Sequence, residues 1–295
     1  MAMRAEAYKK VKQVLWIILF ANLGVAVLKI MIGTIIRSSS MTADGFHSLT
    51  DGSSNIVGLI GIKIASKPVD EEHPYGHRKF ETLAGLFISG MLIFVSGKII
   101  VEAISRLVNS VMPNITLESL FVLLITLFIN VFISVYEYKR GRELKSQILL
   151  SDSMHTRSDI YVSIGVLVTL ICIKIGLPPI VDPIASLLVA GMIIHAAYEI
   201  FKDNSNVLVD KAVVNTDKIK DITLSFEQVK DTHNIRSRGS ENDLHIDMHI
   251  MTEPDMSVDE SHKLIHSIEE KMREEINENV QVIAHIEPFN GKKEA

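Results

Sequence analysis

The chain has 295 residues, 47% of them hydrophobic, a net charge of −5 and one cysteine, Cys172. The charge argues against a basic nucleic-acid surface, and a lone thiol excludes both an internal disulfide and a thiolate cluster for zinc or copper(I). The mean hydropathy of +0.27 is high for a soluble protein and hides an asymmetry: residues 13–201 are dominated by Ile, Leu, Val, Gly and Ala, whereas 203–295 read as an ordinary soluble segment.

The opening residues, MAMRAEAYKKVKQ, are polar and basic, and the apolar run behind them is too long for a cleaved signal peptide, so it reads as a retained first span. A helix crosses the hydrocarbon core with about 20 apolar residues. Six runs meet that length, at 13–36, 41–66, 83–107, 115–138, 152–175 and 178–201. The second and fifth are the least hydrophobic. Arg4, Lys9, Lys10 and Lys12 precede the first span; Lys67, Arg78 and Lys79 lie between the second and third; Lys139, Arg140, Arg142 and Lys145 lie between the fourth and fifth. Only Arg37, Arg106 and Lys174 fall on the other side, so both termini are expected in the cytoplasm. The expected division is a cytoplasmic segment 1–12, a six-span unit 13–202 and a cytoplasmic domain 203–295.

Within the tail, TDKIKDITLSFEQV has a helical period with Thr216 as its cap. DTHNIRSRGSEN and NDLHIDMHIM alternate as two strands joined near Gly239 and Asn242. Ser257 opens a second helix, and VQVIAHIEPF closes the domain as a third strand. The order αββαβ predicts one small sheet with helices on one face, which offers limited core and calls for a partner subunit.

Two stretches repeat one pattern, D-x-x-H-x-x-x-D: DGFHSLTD at 44–51 and DSMHTRSD at 152–159. On a helix, positions i, i+3 and i+7 share a face, which aligns Asp44, His47 and Asp51 on the second span and Asp152, His155 and Asp159 on the fifth. An ionised Asp at the bilayer centre costs about 2.5–3.5 kcal/mol. Four of them would cost on the order of 10 kcal/mol, comparable to the net stability of a domain. A cation, a proton or a water-filled cavity must compensate. A polar helix seam needs only one pair, whereas two matched sets suit a divalent metal held between the spans. His47, Asp51, His155 and Asp159 would give a tetrahedral N2O2 site suited to Zn2+, and also to Fe2+, Co2+ or Cd2+. Asp44 and Asp152, one turn earlier, either support that site, line its exit or ligate in their own right. Further on, Asp70, His73 and His77 crowd one loop, and His245, Asp247 and His249 share a strand face.

Six spans, paired histidines and aspartates on the second and fifth, and an αββαβ tail together resemble the cation diffusion facilitator family over nearly the whole chain. The segment DEEHPYGHRKFE (70–81) is similar to that family's D-x-x-H-P-x-G-H element. The resemblance implies an all-α six-helix transmembrane bundle followed by a small ferredoxin-like, metallochaperone-like cytoplasmic α+β domain. It implies a homodimer in the bilayer, here of the plasma membrane, that exports divalent metal from the cytoplasm in exchange for protons. By position it assigns transport to His47, Asp51, His155 and Asp159, a loop site to Asp70, His73 and His77, and a regulatory site to His233, His249, His262, His285 and Glu287. Where the family often carries a terminal aspartate, this chain has the longer Glu287. The histidine version of the transport site is common among zinc carriers, while manganese carriers tend to lack it, so Zn2+ is expected as substrate and regulatory ion. Neither an organic cofactor nor an enzymatic activity is expected. An intramembrane metalloprotease is disfavoured because H-E-x-x-H is absent. A membrane-tethered metal sensor would need no paired ligands inside the bilayer.

Overall fold

The computed structural model describes residues 2–35, 52–109, 117–174, 178, 180–240 and 243–291. It falls into two compact units, Met1–Ser205 and Asn206–Ala295.

The first unit is helical: α1 (Ala2–Ile35), α2 (Ser53–Ala65), α3 (Lys79–Asn109), α4 (Leu117–Glu143), α5 (Gln147–Lys174) and α6 (Val181–Leu208). Three of them are long and apolar enough to cross a membrane, over Glu6–Ile32, Lys79–Val108 and Pro183–Leu208. The described part of α2 is apolar but has 13 residues, and α5 carries Asp152, His155, Arg157 and Asp159 along its length. The helices outrun the apolar runs. α1 begins at Ala2, inside the segment expected to be a separate tail, α4 continues to Glu143 and α5 starts at Gln147. Glu, Lys and Arg are good helix formers, so polar flanks prolong a helix that hydropathy alone would stop.

Polarity in this unit is inverted. Phe20, Phe94, Phe128 and Phe132 are exposed, while Asn55, Ser96, Glu137, Asp152 and Thr156 are buried. Large apolar side chains outside and polar ones inside fit lipid as the surrounding solvent. Close packing fixes the helices: Leu15, Ile18, Ile62, Ile148 and Leu149 form one cluster. Gly61 of α2 is pressed between neighbours, since a Cβ there would stand 2.5 Å from Ala84 Cβ of α3 and 2.9 Å from Ile148 Cδ1 of α5. Glu81 of α3 fixes the start of α5. Its carboxylate accepts from Ser146 Oγ at 2.5 Å and from the Ile148 N–H at 3.4 Å, filling donors that a helix N-terminus leaves open.

The second unit runs α7 (Thr216–Leu224), β1 (Asp231–Ser240), β2 (Asp243–Thr252), α8 (Val258–Glu275) and β3 (Val280–Pro288). This is the predicted αββαβ order. The sheet order is β1-β2-β3, with β1–β2 antiparallel and β2–β3 parallel. The cap of α7 is Asn215, whose side chain accepts from the Asp217 N–H at 2.8 Å, rather than the expected Thr216. Ser257 caps α8 in a reciprocal box with Glu260. Gly239 has φ +109°, and a Cβ there would strike the Asp243 carbonyl. Along β2, Leu244, Ile246, Met248 and Ile250 are buried with Ile219 and Ile222 of α7 and Leu264, Ile268 and Met272 of α8. Both helices therefore cover one face, and His245, Asp247 and His249 point from the other.

Replacing Gly61 with Ala should force α2 away from α3 and α5, at a cost of about 1–3 kcal/mol. A thermal-shift assay of the detergent-solubilised chain should show a melting midpoint several degrees lower.

Candidate metal centres

The centre of the first unit is polar because α5 turns Asp152 and His155 inward. They are 1% and 4% exposed, and Asp159, one turn further on, is half-buried. Among the described residues, neither ring nitrogen of His155 has a hydrogen-bond partner. Asp152 Oδ2 accepts from the Asn55 side-chain amide of α2, and Asn55 Oδ1 in turn accepts from Asn22 Nδ2 of α1 at 2.9 Å. The chain of amides ties the first turn of α2 to the α5 face that bears Asp152 and His155. Asp44, His47 and Asp51 lie outside the described residues.

Glu137 of α4 completes this interior, although the sequence reading passed over it. It is fully buried and accepts from Thr156 Oγ1 at 2.9 Å, and its carboxyl lies against that of Asp152. Its Oε1 and Asp152 Oδ1 have no hydrogen-bond partner among the described residues. The signal lay in the period of α4, where Thr126, Ser134, Glu137 and Gly141 form one buried stripe.

A second group of donors sits in the loop before α3. Asp70 Oδ1 accepts from the His73 N–H at 2.7 Å and stands 3.2 Å from His73 Nδ1. His77 is buried, with Nδ1 at 3.1 Å from the Pro68 carbonyl and Nε2 at 3.2 Å from Asp70 Oδ2. A carbonyl only accepts, so Nδ1 carries the proton and Nε2 is turned to the carboxylate, where a proton or a metal cation can bridge ring and carboxylate. The Nδ1–H···O=C bond is the arrangement that orients metal-binding imidazoles. The three ligand atoms lie within 4.8 Å of one another. Donation by the His73 backbone N–H holds the Asp70 carboxyl below its ordinary range.

The third group lies on the open face of the sheet. Register places His233, His249 and His285 side by side across β1, β2 and β3. The β1 register shifts between His233 and Arg236, with Asn234 at φ +50°, and the shift brings His233 level with His249. Glu287 reaches across to them: His249 Nδ1 is 2.8 Å from Oε1 and His233 Nε2 is 3.3 Å from Oε2. His233, His249 and Glu287 thus offer three ligand atoms within 4.8 Å. His285 is more exposed and stands 3.7 Å from Glu287. His262 is on α8, which packs on the opposite face, so the sheet separates it from this trio within one chain. It stacks edge-on against His266, with ring centroids 4.5 Å apart.

The family model of the cation efflux transmembrane domain matches residues 15–209, and that of the cation efflux protein cytoplasmic domain matches 213–289. An uncharacterized transporter of Methanocaldococcus jannaschii is 32% identical over 92% of this chain and 96% of its own. The uncharacterized transporter YdbO of Bacillus subtilis is 28% identical over 97% of this chain and 98% of its own. The manganese efflux system protein MneS of the same organism is 27% identical over 98% and 99%. Paired matches across both units, with donor clusters in each, place the chain in the cation diffusion facilitator family of membrane transporters of divalent metal cations.

Proposed function

We propose that the chain exports Zn2+ from the cytoplasm by proton antiport, as a homodimer in the plasma membrane with both termini inside. The observation that carries this reading is His155: a buried imidazole with both nitrogens unpartnered among the described residues, on the helix face it shares with Asp159. His47 and Asp51 would complete the site from the neighbouring span. Asn55, four residues after Asp51, supports this, because it bonds to Asp152, three residues before His155. Imidazole with carboxylate suits Zn2+, with Fe2+ next and then Cd2+ or Co2+. The name of MneS brings Mn2+ into the comparison. Oxygen donors suit Mn2+ better than paired imidazoles do, so the donor set favours zinc.

Metal and proton compete for the same donor atoms, since only neutral imidazole and ionised carboxylate ligate. Protons arriving from outside would release the metal, and a rocking of helices would alternate access. His233, His249, His285 and Glu287 would bind cytoplasmic zinc and favour one arrangement of the dimer over another, while His262 of the same chain stands on the far side of the sheet. Asp70, His73 and His77 would hold a further ion at the cytoplasmic surface, which the convergence of their ligand atoms within 4.8 Å supports.

Zinc flux into proteoliposomes under an imposed pH gradient tests the transport site. Asp51→Ala combined with Asp159→Ala should lower flux at least tenfold while the protein still elutes as a dimer; undiminished flux would contradict the assignment. The loop gives a pH test. With its folded-state pKa lowered, Asp70 stabilises the loop above about pH 4, the unfolded value, and that contribution is lost as pH falls through the lower folded value. Asp70→Asn should therefore speed amide hydrogen exchange over 73–80 at neutral pH, and the difference from the parent chain should close in strong acid.

A further inference from the structure

The two carboxyl groups of Glu137 and Asp152 have no role in the transport site as proposed, and among the described residues they are the most deeply buried acids in the first unit. Glu137 is 0% and Asp152 1% exposed. Thr156 Oγ1 serves Glu137 Oε2, the Asn55 amide serves Asp152 Oδ2, the Ser54 side chain also bonds Asp152, and the two carboxyls lie within reach of each other. The other oxygen of each has no partner among the described residues. The charged groups acting most strongly on Glu137 are themselves carboxylates, Asp152 and Asp159. A polar seam that merely joined helices would close its donors and acceptors on each other. This one leaves two acceptors open and sets two acids together. His155, which faces the same interior, is 4% exposed and has no hydrogen-bond partner of its own among the described residues.

We propose that Glu137 and Asp152 form a second cation station in the membrane unit, an oxygen-donor subsite where a divalent cation rests beside the His155–Asp159 half-site. The inference rests on the transport reading given above. Asp152 lies about 4.5 Å along the helix axis from His155, towards the end of α5 that follows the basic turn Lys139–Lys145. In the proposed orientation that end is cytoplasmic, so an outgoing cation meets the carboxyl pair before the imidazole. The donors differ in kind. Glu137, Asp152 and the Thr156 hydroxyl offer only oxygen, which accepts hard and borderline divalent ions alike, whereas His155 adds nitrogen and selects among them. Admission would thus be permissive at the first station and selective at the second. Glu137 holds its place through Thr156, the residue after His155, so the two stations share one segment of α5.

Binding of Mn2+ to the full-length chain in lipid nanodiscs, counted by electron paramagnetic resonance, separates the stations. In a chain carrying His47→Ala, Asp51→Ala, His155→Ala and Asp159→Ala, the carboxyl pair should still take Mn2+. Adding Glu137→Gln and Asp152→Asn should lower the count by one ion per chain, with binding at the loop and cytoplasmic sites unchanged. Equal counts in the two chains would overturn the proposal, and would mean that the pair holds a shared proton instead. Because this reads binding rather than flux, it can fail while the transport site stands. The transport reading fails separately if the first variant still moves zinc. Should the combined variant misfold, single substitutions decide. Glu137→Gln should raise the KM for zinc flux at least fivefold with a smaller effect on kcat, and Glu137→Asp should restore most of it. An unchanged KM in Glu137→Gln would equally overturn the proposal.

Discussion

A carboxylate taken out of water must meet a positive charge or a full set of donors, and this constraint organises the membrane unit. Its interior holds Glu137, Asp152 and His155 among apolar helices whose outer faces carry Phe20, Phe94, Phe128 and Phe132. Such an interior is costly unless something positive visits it. The donors that are present, the Asn22–Asn55–Asp152 chain and the Thr156–Glu137 bond, fix the geometry without exhausting the acceptors. What remains open, Glu137 Oε1 and Asp152 Oδ1, is acceptor only. The packing around it is correspondingly tight: Gly61 against Ala84 and Ile148, and the Glu81 carboxylate on the first turn of α5, hold the helix that carries His155.

The same logic recurs in water with different support. On the sheet, strand alternation puts Ile and Met on the helix-covered face of β2 and His245, Asp247 and His249 on the other. A register shift in β1 and the length of Glu287 then converge His233 and His249 on one carboxylate. In the loop, His77 is buried and oriented by a carbonyl, so its second nitrogen is aimed rather than free to wander. The extra methylene of Glu287, relative to an aspartate, does not prevent convergence. It reaches from a register position opposite Met251 to the histidines two positions away.

Much of this was legible in the sequence, for reasons of period. The αββαβ order followed from alternation in the strands and from capping residues, whereas the row His233, His249 and His285 came from the family resemblance rather than from period. The helix ends were less legible. Hydropathy stops where Tyr, Glu, Lys and Arg begin, but the backbone continues to make helix, so α4 extends to Glu143. Glu137 falls inside the expected span 115–138, but it stands in VYEYKRGRE, which resembles the solvated end of a span. Only its phase with Thr126 and Ser134 betrays the burial. The separation of His262 from the sheet histidines was also invisible, because linear spacing does not say which face of a sheet a helix covers. Asn215 and Thr216 can both cap a helix, and only backbone geometry at Asn215 chooses between them.

The central claim is that a divalent cation is held inside the membrane unit by imidazole and carboxylate from two helices. Zinc K-edge X-ray absorption measures that coordination directly, on the purified chain with the loop and sheet donors removed by His77→Ala and His249→Ala. The account predicts four ligands at about 2.0–2.1 Å with the multiple-scattering signature of two imidazoles and two carboxylate oxygens. A zinc shell with no imidazole, or one that persists unchanged after His155→Ala, would contradict it.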